Sequence, residues 1–335
     1  MNIPESPLFN PVIFKGGHIA VLDETLLPFK QEYIKVSGLN GALYVLRQMK
    51  TRAFGQVLLF YYTLILEAKK NEITNLKSFS KLSRSITEKF IQTRPTFAFS
   101  QLNNELLSML KNNKEEGSFI SLIKIIILTY IDSIQNARRH RARLAAGILP
   151  QSARILTHCN VSGELVTMFA EAEKLGKSVE FFATETRPYF QGARLTAWEL
   201  NRANANTYLI CDIQAGDILK RCRIDMVLVG SDRVTLKGDI VNKLGTYQLA
   251  ILAKHYGVPF YCFVQPPGDT KSIKDIKIEY RPKEEMLVFE KSCLAPKSQE
   301  AIYPSFDVVP SSLITGLIFF DQIYTPGEFA KKWVK

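Results

Sequence analysis

The segment ILTHCN, from Ile155 to Asn160, places a histidine, a cysteine and an asparagine directly after a short apolar run. Such a run is typical of a buried strand, and the polar residues then stand at the strand's end. A thiol in this place can carry protons or act as a nucleophile if a helix N-terminus or a cation lowers its pKa from about 8.5. Free cysteines are also among the most buried and inert residues, so Cys159 is either a reactive thiol or a core side chain.

The elements that must position Cys159 form an alternating pattern in the second half of the chain. Short apolar runs alternate with helical segments at intervals of about 25 residues, which is the signature of an α/β protein with a doubly wound parallel sheet. The predicted strands are RILTH, SVEFFAT, TYLIC, DMVLVG and PFYCFV.

Several chemically competent side chains follow these strands. Cys159 follows the first, Glu185 and Arg187 the second, Asp212 the third and Ser231–Asp232–Arg233 the fourth. Because ligands bind beyond the carboxyl ends of the strands in such sheets, we expect a thiol, carboxylates and arginines along one rim. The sequence therefore predicts an active site or a ligand site there.

The first half of the chain has a different pattern. Residues 10–36 predict short strands, and residues 40–147 show apolar spacings near 3.6 that predict helices. A chain of 335 residues suits two domains. We place the boundary near Pro150, giving an N-terminal domain of short strands and helices (1–150) and a sheet domain (151–335).

The net charge of +11 raises the question of nucleic-acid binding. The densest basic cluster is ARRHRAR, from Ala137 to Arg143, and elsewhere basic residues are interleaved with acidic ones. No RNA-binding aromatic signature or zinc-finger spacing is present in the sequence. Scattered arginines suit a small anionic ligand, such as a sugar phosphate, better than a nucleic acid.

Cysteine usage and hydropathy bear on the compartment. The five cysteines are widely spaced and include no CxxC pair, which disfavours a disulfide framework or a zinc site and favours a reducing cytoplasm. The N-terminus lacks the pattern of a signal peptide. The most apolar run, SFISLIKIIILTYI, contains Lys124 and is too short to span a bilayer. We expect a cytoplasmic protein without a membrane segment.

Two long segments, 184–200 (TETRPYFQGARLTAWEL) and 230–261 (beginning GSDRVTLKGD), resemble the methylthioribose-1-phosphate isomerase family. The wider family includes ribose-1,5-bisphosphate isomerases and the regulatory subunits of the exchange factor for translation initiation factor two. Further matches in the same order are VLDETLLP, TRPT at 93–96, LTHCN, IEYRPKEEM and SFDVVPSSLIT. The resemblance covers nearly the whole chain.

The resemblance implies a Rossmann-like C-terminal domain, a mainly helical N-terminal domain and a homodimer. It also implies an isomerase of methionine salvage that converts S-methyl-5-thioribose 1-phosphate, or a close pentose-phosphate analogue, from aldose to ketose without metal or cofactor. The catalytic pair maps onto Cys159 and Asp232. The family's substrate contacts map onto Arg52, Arg94, Gln191, Asn242 and Lys243.

The chemistry of these residue types fits such a reaction. Aldose–ketose isomerisation moves a proton between adjacent carbons and needs a second group for the oxygen-bound protons. We expect Cys159 to act at carbon and Asp232 at oxygen, once burial raises the pKa of Asp232. Arg52 and Arg94 suit a phosphate because guanidinium binds it with two prongs. The alternatives are a salt bridge from Asp232 to a basic neighbour, and solvated helix arginines.

Three departures from the isomerase pattern leave a second hypothesis open. The isomerases' RGAPAIG is replaced by RAFGQVL from Arg52 to Leu58, no Gly-rich insertion follows Cys159, and Asp212–Ile213 stands where the isomerases have Asp–Asn. Such Gly-rich loops hold phosphate through backbone N–H groups. The alternative function is a non-catalytic regulatory protein that binds a sugar phosphate or a nucleotide.

Overall fold

A computed structural model describes residues 3–95, 97–113, 117–268, 270–289, 291–296 and 298–333. The chain divides into two compact units, Pro7–Asn136 and a second made of Met1–Ser6 with Ala137–Lys335. The structural division therefore lies within a helix, earlier than the boundary that we placed at Pro150. The end of that helix packs in the core of the second unit through Ala142, Ala145 and Ala146.

The Pro7–Asn136 unit begins with a small antiparallel sheet and continues with helices. Its strands are β1 (Val12–Phe14), β2 (Ile19–Leu22) and β3 (Tyr33–Val36). Its helices are α1 (Leu39–Arg47), α2 (Phe54–Lys70), α3 (Leu76–Thr93), α4 (Phe99–Asn112) and the first part of α5 (Phe119–Gly147). Short strands thus precede the helices in this unit. Helix α2 is the centre of this unit, because nearly all of its residues are buried.

Helix α5 contains the apolar run that we expected to be too short to span a bilayer. The helix has 29 residues, and by length and composition alone it could cross a membrane. Its residues Ile123, Ile127 and Ile131 are instead buried in the core of the Pro7–Asn136 unit. Their spacing of four residues puts them on one face, as in the core helix of a globular protein.

The second unit contains most of the strands. In chain order they are β4 (Ser152–Thr157), β5 (Ser178–Thr184), β6 (Asn206–Ile210), β7 (Met226–Val229), β8 (Arg233–Val234), β9 (Ile240–Lys243), β10 (Phe260–Phe263), β11 (Val288–Phe289), β12 (Ser292–Cys293), β13 (Phe306–Val309), β14 (Gly316–Ile318) and β15 (Ile323–Tyr324). Its helices are α6 (Glu164–Lys174), a π-helix (Gly192–Thr196), α7 (Ala197–Arg202), α8 (Ala215–Arg221), α9 (Thr246–Tyr256), α10 (Glu284–Leu287) and α11 (Pro326–Trp333).

Seven strands form one sheet in the order β15-β14-β10-β7-β4-β5-β6, parallel except for β15. Both faces of this sheet are covered. In β7, Val227 and Val229 pack into the core on one face, while Met226 and Leu228 pack into the core on the other. Strands buried on both faces read as continuous apolar runs, and the run in β7 agrees with its central place in the sheet. The predicted α/β class with a doubly wound, Rossmann-like parallel sheet is confirmed.

A separate antiparallel sheet in the order β13-β9-β8 stands beyond the carboxyl end of β7. In its register Asn242 pairs with Asp307 and Lys243 with Phe306. This sheet was not predicted from the sequence, because β9 pairs with a strand more than sixty positions later and local periodicity carries no such information. It carries two of the expected substrate contacts.

Candidate functional site

Cys159 lies just past the end of β4 and is half-buried. Its backbone has φ of +63°, a left-handed conformation that non-glycine residues rarely adopt. Two hydroxyl groups hold this backbone: the Cys159 N–H donates to Thr186 Oγ1 (2.9 Å), and its carbonyl accepts from Thr196 Oγ1 (2.6 Å). Strained backbone of this kind persists only where the surroundings enforce it, and it concentrates at functional sites. Cys159 is therefore built differently from Cys262, which is wholly buried in β10.

The preceding residue, His158, ties the end of β4 to two other elements. Its Nδ1 lies 2.6 Å from Thr184 Oγ1 at the end of β5, and its Nε2 lies 2.9 Å from the carbonyl oxygen of Leu244, directly after β9. Burial lowers the pKa of His158, although Asp212 acts in the opposite direction. A neutral ring whose Nε2 donates to that carbonyl accepts at Nδ1. His158 is thus a satisfied structural residue that brings the Lys243–Leu244 segment to the Cys159 strand.

The segment after β5 approaches the end of that strand closely, because Gly192 has no side chain. A Cβ on Gly192 would lie 1.7 Å from the Thr184 carbonyl oxygen and 2.8 Å from Thr186 Oγ1. The π-helix therefore starts in direct backbone contact with the two threonines that hold His158 and Cys159. Gln191 is buried, and its Oε1 has no hydrogen-bond partner in the described part of the chain. Since buried polar atoms are usually paired, this oxygen is suited to a ligand.

Asp212 and Arg187, which we expected on the rim of the site, stabilise the local fold. The carboxylate of Asp212 accepts the backbone N–H groups of Thr186 (2.8 Å) and Arg187 (2.7 Å). The Arg187 guanidinium donates to the carbonyl of Met286 (3.1 Å) and lies 5.2 Å from the Phe190 ring centroid. Both residues fix the loop that carries Thr186. Asp212 does so although Ile213 replaces the asparagine that follows it in the isomerase pattern.

Asp232 follows β7, as predicted, and its backbone is fixed on both sides. Its N–H donates to the carbonyl of Val241 (2.8 Å), and its carbonyl accepts from Gln265 Nε2 (2.7 Å). Its side chain is exposed. The burial that we expected of Asp232 is therefore not observed, because the residue stands in the loop between β7 and β8.

Asn242 and Lys243 are buried at the end of β9, the same strand whose Val241 carbonyl accepts the Asp232 N–H. Asn242 Nδ2 donates to Thr246 Oγ1 (3.0 Å), and Lys243 Nζ lies 5.0 Å from the Phe306 ring centroid. The chain of contacts through His158 and Leu244 connects this pair to Cys159. The structure thus gathers Cys159, Gln191, Asp232, Asn242 and Lys243 at one edge of the main sheet.

Arg52 and Arg94 belong to the Pro7–Asn136 unit. The N–H of Arg52 donates to Glu24 Oε1 (3.0 Å), and Thr51 Oγ1 donates to the same oxygen (2.6 Å). Burial raises the pKa of Glu24, and the charge of Arg52 opposes the shift. The next residue, Ala53, has φ of +42° where the isomerase pattern has glycine. The altered segment thus keeps a conformation that favours glycine.

Arg94 stands at the end of α3, where its N–H donates to the Phe90 carbonyl (2.9 Å). It belongs to the TRPT segment, whose last residue, Thr96, lies outside the described residues.

Comparison with known proteins gives the family. The initiation factor 2 subunit family matches residues 57–319. The chain belongs to that family. It is 36% identical to the methylthioribose-1-phosphate isomerase of Desulforudis audaxviator over 96% of both chains.

Two solved structures are similar to this member of the family over most of their length. One is the 5-methylthioribose 1-phosphate isomerase of Pyrococcus horikoshii, with TM-score 0.81, 28% identity and coverage of 99% of this chain and 98% of that one. The other is the delta subunit of translation initiation factor eIF-2B from A. fulgidus, with TM-score 0.76, 26% identity and coverage of 94% and 96%. Within the family, the full-length similarity to isomerases favours an isomerase over the regulatory protein that was the alternative.

The basic cluster ARRHRAR of this family member is not an open basic surface. Arg138 and Arg141 are buried and share Glu164, with Nε–Oε distances of 2.9 and 2.5 Å. Although burial raises the pKa of Glu164, these two arginines outweigh it and hold that pKa below its ordinary value. Arg139 pairs with Glu5 at 2.9 Å.

Sequence reasoning missed the residues that hold Cys159 in place. Thr186, Thr196 and Glu199 all lie in the family segment 184–200, but only their three-dimensional contacts show what they do. The only available signal was the density of matching residues in that segment, since threonine hydroxyls carry no recognisable chemical pattern of their own.

Proposed function

We propose that this protein is a cytoplasmic aldose–ketose isomerase that converts S-methyl-5-thioribose 1-phosphate into S-methyl-5-thioribulose 1-phosphate. The observation that carries the proposal is the left-handed Cys159 at the carboxyl edge of the sheet, in a chain that resembles isomerases over nearly its whole length. A sugar phosphate also suits the positive net charge and the buried Lys243. The reaction only redistributes protons and bonds within one molecule, so it requires no redox cofactor.

The proposed chemistry divides between the two catalytic residues. Asp232 gives a proton to the ring oxygen as the C1–O4 bond breaks, and the Cys159 thiolate takes the proton from C2, leaving an enol at C1–C2. Asp232 then recovers a proton from the C2 hydroxyl, and Cys159 returns its proton to C1, which yields the ketone. Each residue ends in its starting protonation state, as a general acid–base cycle requires.

The thiolate that this cycle needs would be favoured by its surroundings. Helix α6 begins at Glu164, shortly after Cys159, and its N-terminus carries partial positive charge. The His158–Leu244 contact brings the segment of Lys243 toward the same loop. We assign Gln191, Asn242 and Lys243 to the sugar hydroxyls and phosphate.

Arg52 and Arg94 are assigned to the phosphate. Guanidinium groups bind phosphate oxygens in pairs and, unlike lysine, hold a fixed geometry. We expect Arg52→Lys to raise KM for the sugar phosphate about tenfold or more. Lysine keeps the positive charge but cannot form the two-pronged hydrogen bond of the guanidinium group. An unchanged KM would show that the guanidinium group of Arg52 does not hold the phosphate.

The substrate is tested by incubating purified protein with S-methyl-5-thioribose 1-phosphate and following ketose formation by NMR. Ribose 1,5-bisphosphate and 5-deoxyribose 1-phosphate run in parallel to probe the substituent at C5. Conversion of the methylthio sugar with the highest kcat/KM supports the proposal. Faster conversion of the bisphosphate would reassign the substrate, and no conversion of any of the three would contradict the enzyme.

The protein is also proposed to be a homodimer. Light scattering behind size exclusion is expected to give twice the chain mass of 38.0 kDa. A single-chain mass at micromolar concentration would overturn the dimer without affecting the assigned reaction.

A further inference from the structure

We propose that Glu199 is a positioning residue for Cys159, acting through the side chains of Asn160 and Thr196. The inference rests on the proposed function for its kinetic consequence, but its structural content concerns the Cys159 backbone alone. Glu199 stands on α7, in the middle of the second unit, and only 1% of its surface is exposed. It does not face the substrate in the proposed chemistry.

The carboxyl of Glu199 is held from two sides. Its Oε1 accepts from Asn160 Nδ2 (2.7 Å), and its Oε2 accepts from Ser6 Oγ (2.7 Å). Ser6 belongs to the N-terminal segment that packs with the sheet unit. A carboxyl buried this deeply is costly unless its oxygens are paired, and both are.

From Asn160 the contacts run on to Cys159. Asn160 Nδ2 also donates to Thr196 Oγ1 (3.0 Å), and Thr196 Oγ1 donates to the Cys159 carbonyl (2.6 Å). Asn160 Oδ1 accepts the N–H of Ser162 (2.9 Å), which fixes the turn after Cys159. The donors therefore point in one direction, from Asn160 through Thr196 to Cys159, so each bond polarises the next. Removing the acceptor at Glu199 takes away one of the three hydrogen bonds that orient the Asn160 side chain.

The charge of Glu199 is poised to matter near neutrality. Burial raises its pKa to about 7, and the groups around it work in the opposite direction. These groups are Ser6 from the N-terminal segment, Asn160 and the Gly163 N–H from the loop after β4, and Arg138 from α5. Arg138 is itself bonded to Glu164. Its charge therefore does not act on Glu199 alone.

Two substitutions separate the position of this side chain from its charge. Glu199→Gln imitates the protonated carboxyl: its oxygen accepts from Asn160, and its amide can donate to Ser6 Oγ. Glu199→Leu removes the acceptor and leaves one N–H of the Asn160 amide without its partner, while the bonds to Thr196 and Ser162 stay possible. Glu67→Leu is the matched control, because Glu67 is also buried and accepts a backbone N–H, from Leu39, in the other unit.

The first readout is independent of turnover. Each variant, checked for folding by circular dichroism, is treated with iodoacetamide, and the rate of Cys159 modification is measured by peptide mass spectrometry. Cys211 and Cys293 are exposed and serve as internal references in the same digest. We expect Glu199→Leu to accelerate Cys159 modification about threefold or more relative to these references, since loosened backbone exposes a half-buried thiol. Glu199→Gln and Glu67→Leu should stay near the wild type.

The second readout is kinetic. Glu199→Leu should lower kcat for S-methyl-5-thioribose 1-phosphate about tenfold with little change in KM, because misplacement of a reacting group costs transition-state stabilisation. The kcat of the wild type should change around pH 7 and that of Glu199→Gln should lose this inflection. If Glu199→Leu does not fold, the test uses Ser6→Ala and Glu199→Gln, for which kcat is measured as a function of pH.

The outcomes separate the two proposals. Failure of every form to turn over the sugar contradicts the enzyme, while the modification rates still decide the role of Glu199. A folded Glu199→Leu whose Cys159 modification rate equals that of the wild type would overturn the positioning role. So would an unchanged inflection near pH 7 in Glu199→Gln.

Discussion

At the scale of residues, two buried glutamates flank the Cys159 loop with opposite charge preferences. Glu164, at the start of α6, is held ionised by Arg138 and Arg141, and its pKa is lowered despite burial. For Glu199 burial outweighs the charge of Arg138 and the hydrogen bonds from its neighbours, and raises its pKa to about 7. The difference shows that the partners of a buried carboxyl, rather than burial alone, decide its charge.

The raised pKa of Glu199 predicts a dependence of stability on pH. A carboxyl whose pKa in the folded state is raised above its unfolded value of 4.5 gives its full contribution to stability below pH 4.5. This contribution is lost as the pH rises through the folded pKa of about 7. The wild type should therefore lose about 2 kcal/mol relative to Glu199→Gln between pH 5.5 and pH 8. Urea unfolding of both proteins at several pH values measures the difference. Parallel stability curves across that range would contradict the assignment of the proton to Glu199.

At the scale of elements, the π-helix and the loop before it place the residues that hold Cys159. Gly192 is the point of closest approach, because a Cβ would lie 1.7 Å from the Thr184 carbonyl oxygen. Gly192→Ala should therefore destabilise the fold by about 2 kcal/mol or more and slow turnover, since backbone cannot yield as a side chain can.

Gly147→Ala is the matched control for this substitution. Gly147 ends α5, and a Cβ there meets no atom within 4 Å. That variant should be neutral or slightly stabilising, because alanine restricts the unfolded chain. Thermal melting of both variants checks the pair, and equal melting temperatures would show that the close contact is not needed.

The elements also show what could be predicted from the sequence. The run SVEFFAT coincides with β5, and Asp232 follows β7 as expected, because continuous apolar runs and their ends are local features. The pairing of Lys243 with Phe306 depends on residues far apart in the chain, so the second sheet escaped detection. Exposure of Asp232 was missed because it depends on the loop between β7 and β8, which is held by contacts with Val241 and Gln265 that the strand pattern does not show. The resemblance supplied the site residues, and the structure supplied Thr186, Thr196 and Glu199.

At the scale of the whole molecule, each compact unit has its own hydrophobic core. The tryptophans Trp198 and Trp333 are both in the unit of Ala137–Lys335, so tryptophan fluorescence reports on that unit alone. Within it, the carboxyl of Glu164 joins the end of α5 to the start of α6, and Arg141 Nη1 also donates to the Val264 carbonyl after β10 (2.6 Å).

Removal of the charge of Glu164 should therefore weaken this unit. Glu164→Gln removes the carboxylate that two buried arginines share and is expected to cost about 3 kcal/mol or more. Asp217→Asn is the control, because the Asp217–Arg221 pair is exposed and should contribute less than about 1 kcal/mol. Urea titration followed by tryptophan fluorescence measures both, and similar midpoints would show that the buried network adds no stability.

In the proposed mechanism Cys159 moves the proton between carbons while Asp232 serves the oxygens. The most direct measurement is turnover of S-methyl-5-thioribose 1-phosphate, followed by NMR, for the wild type, Cys159→Ser and Asp232→Asn. We expect ketose formation by the wild type and a loss of about a thousandfold or more in each variant, with folding retained, because each proton transfer lacks its carrier. A Cys159→Ser variant that turned over substrate at the wild-type rate would contradict it.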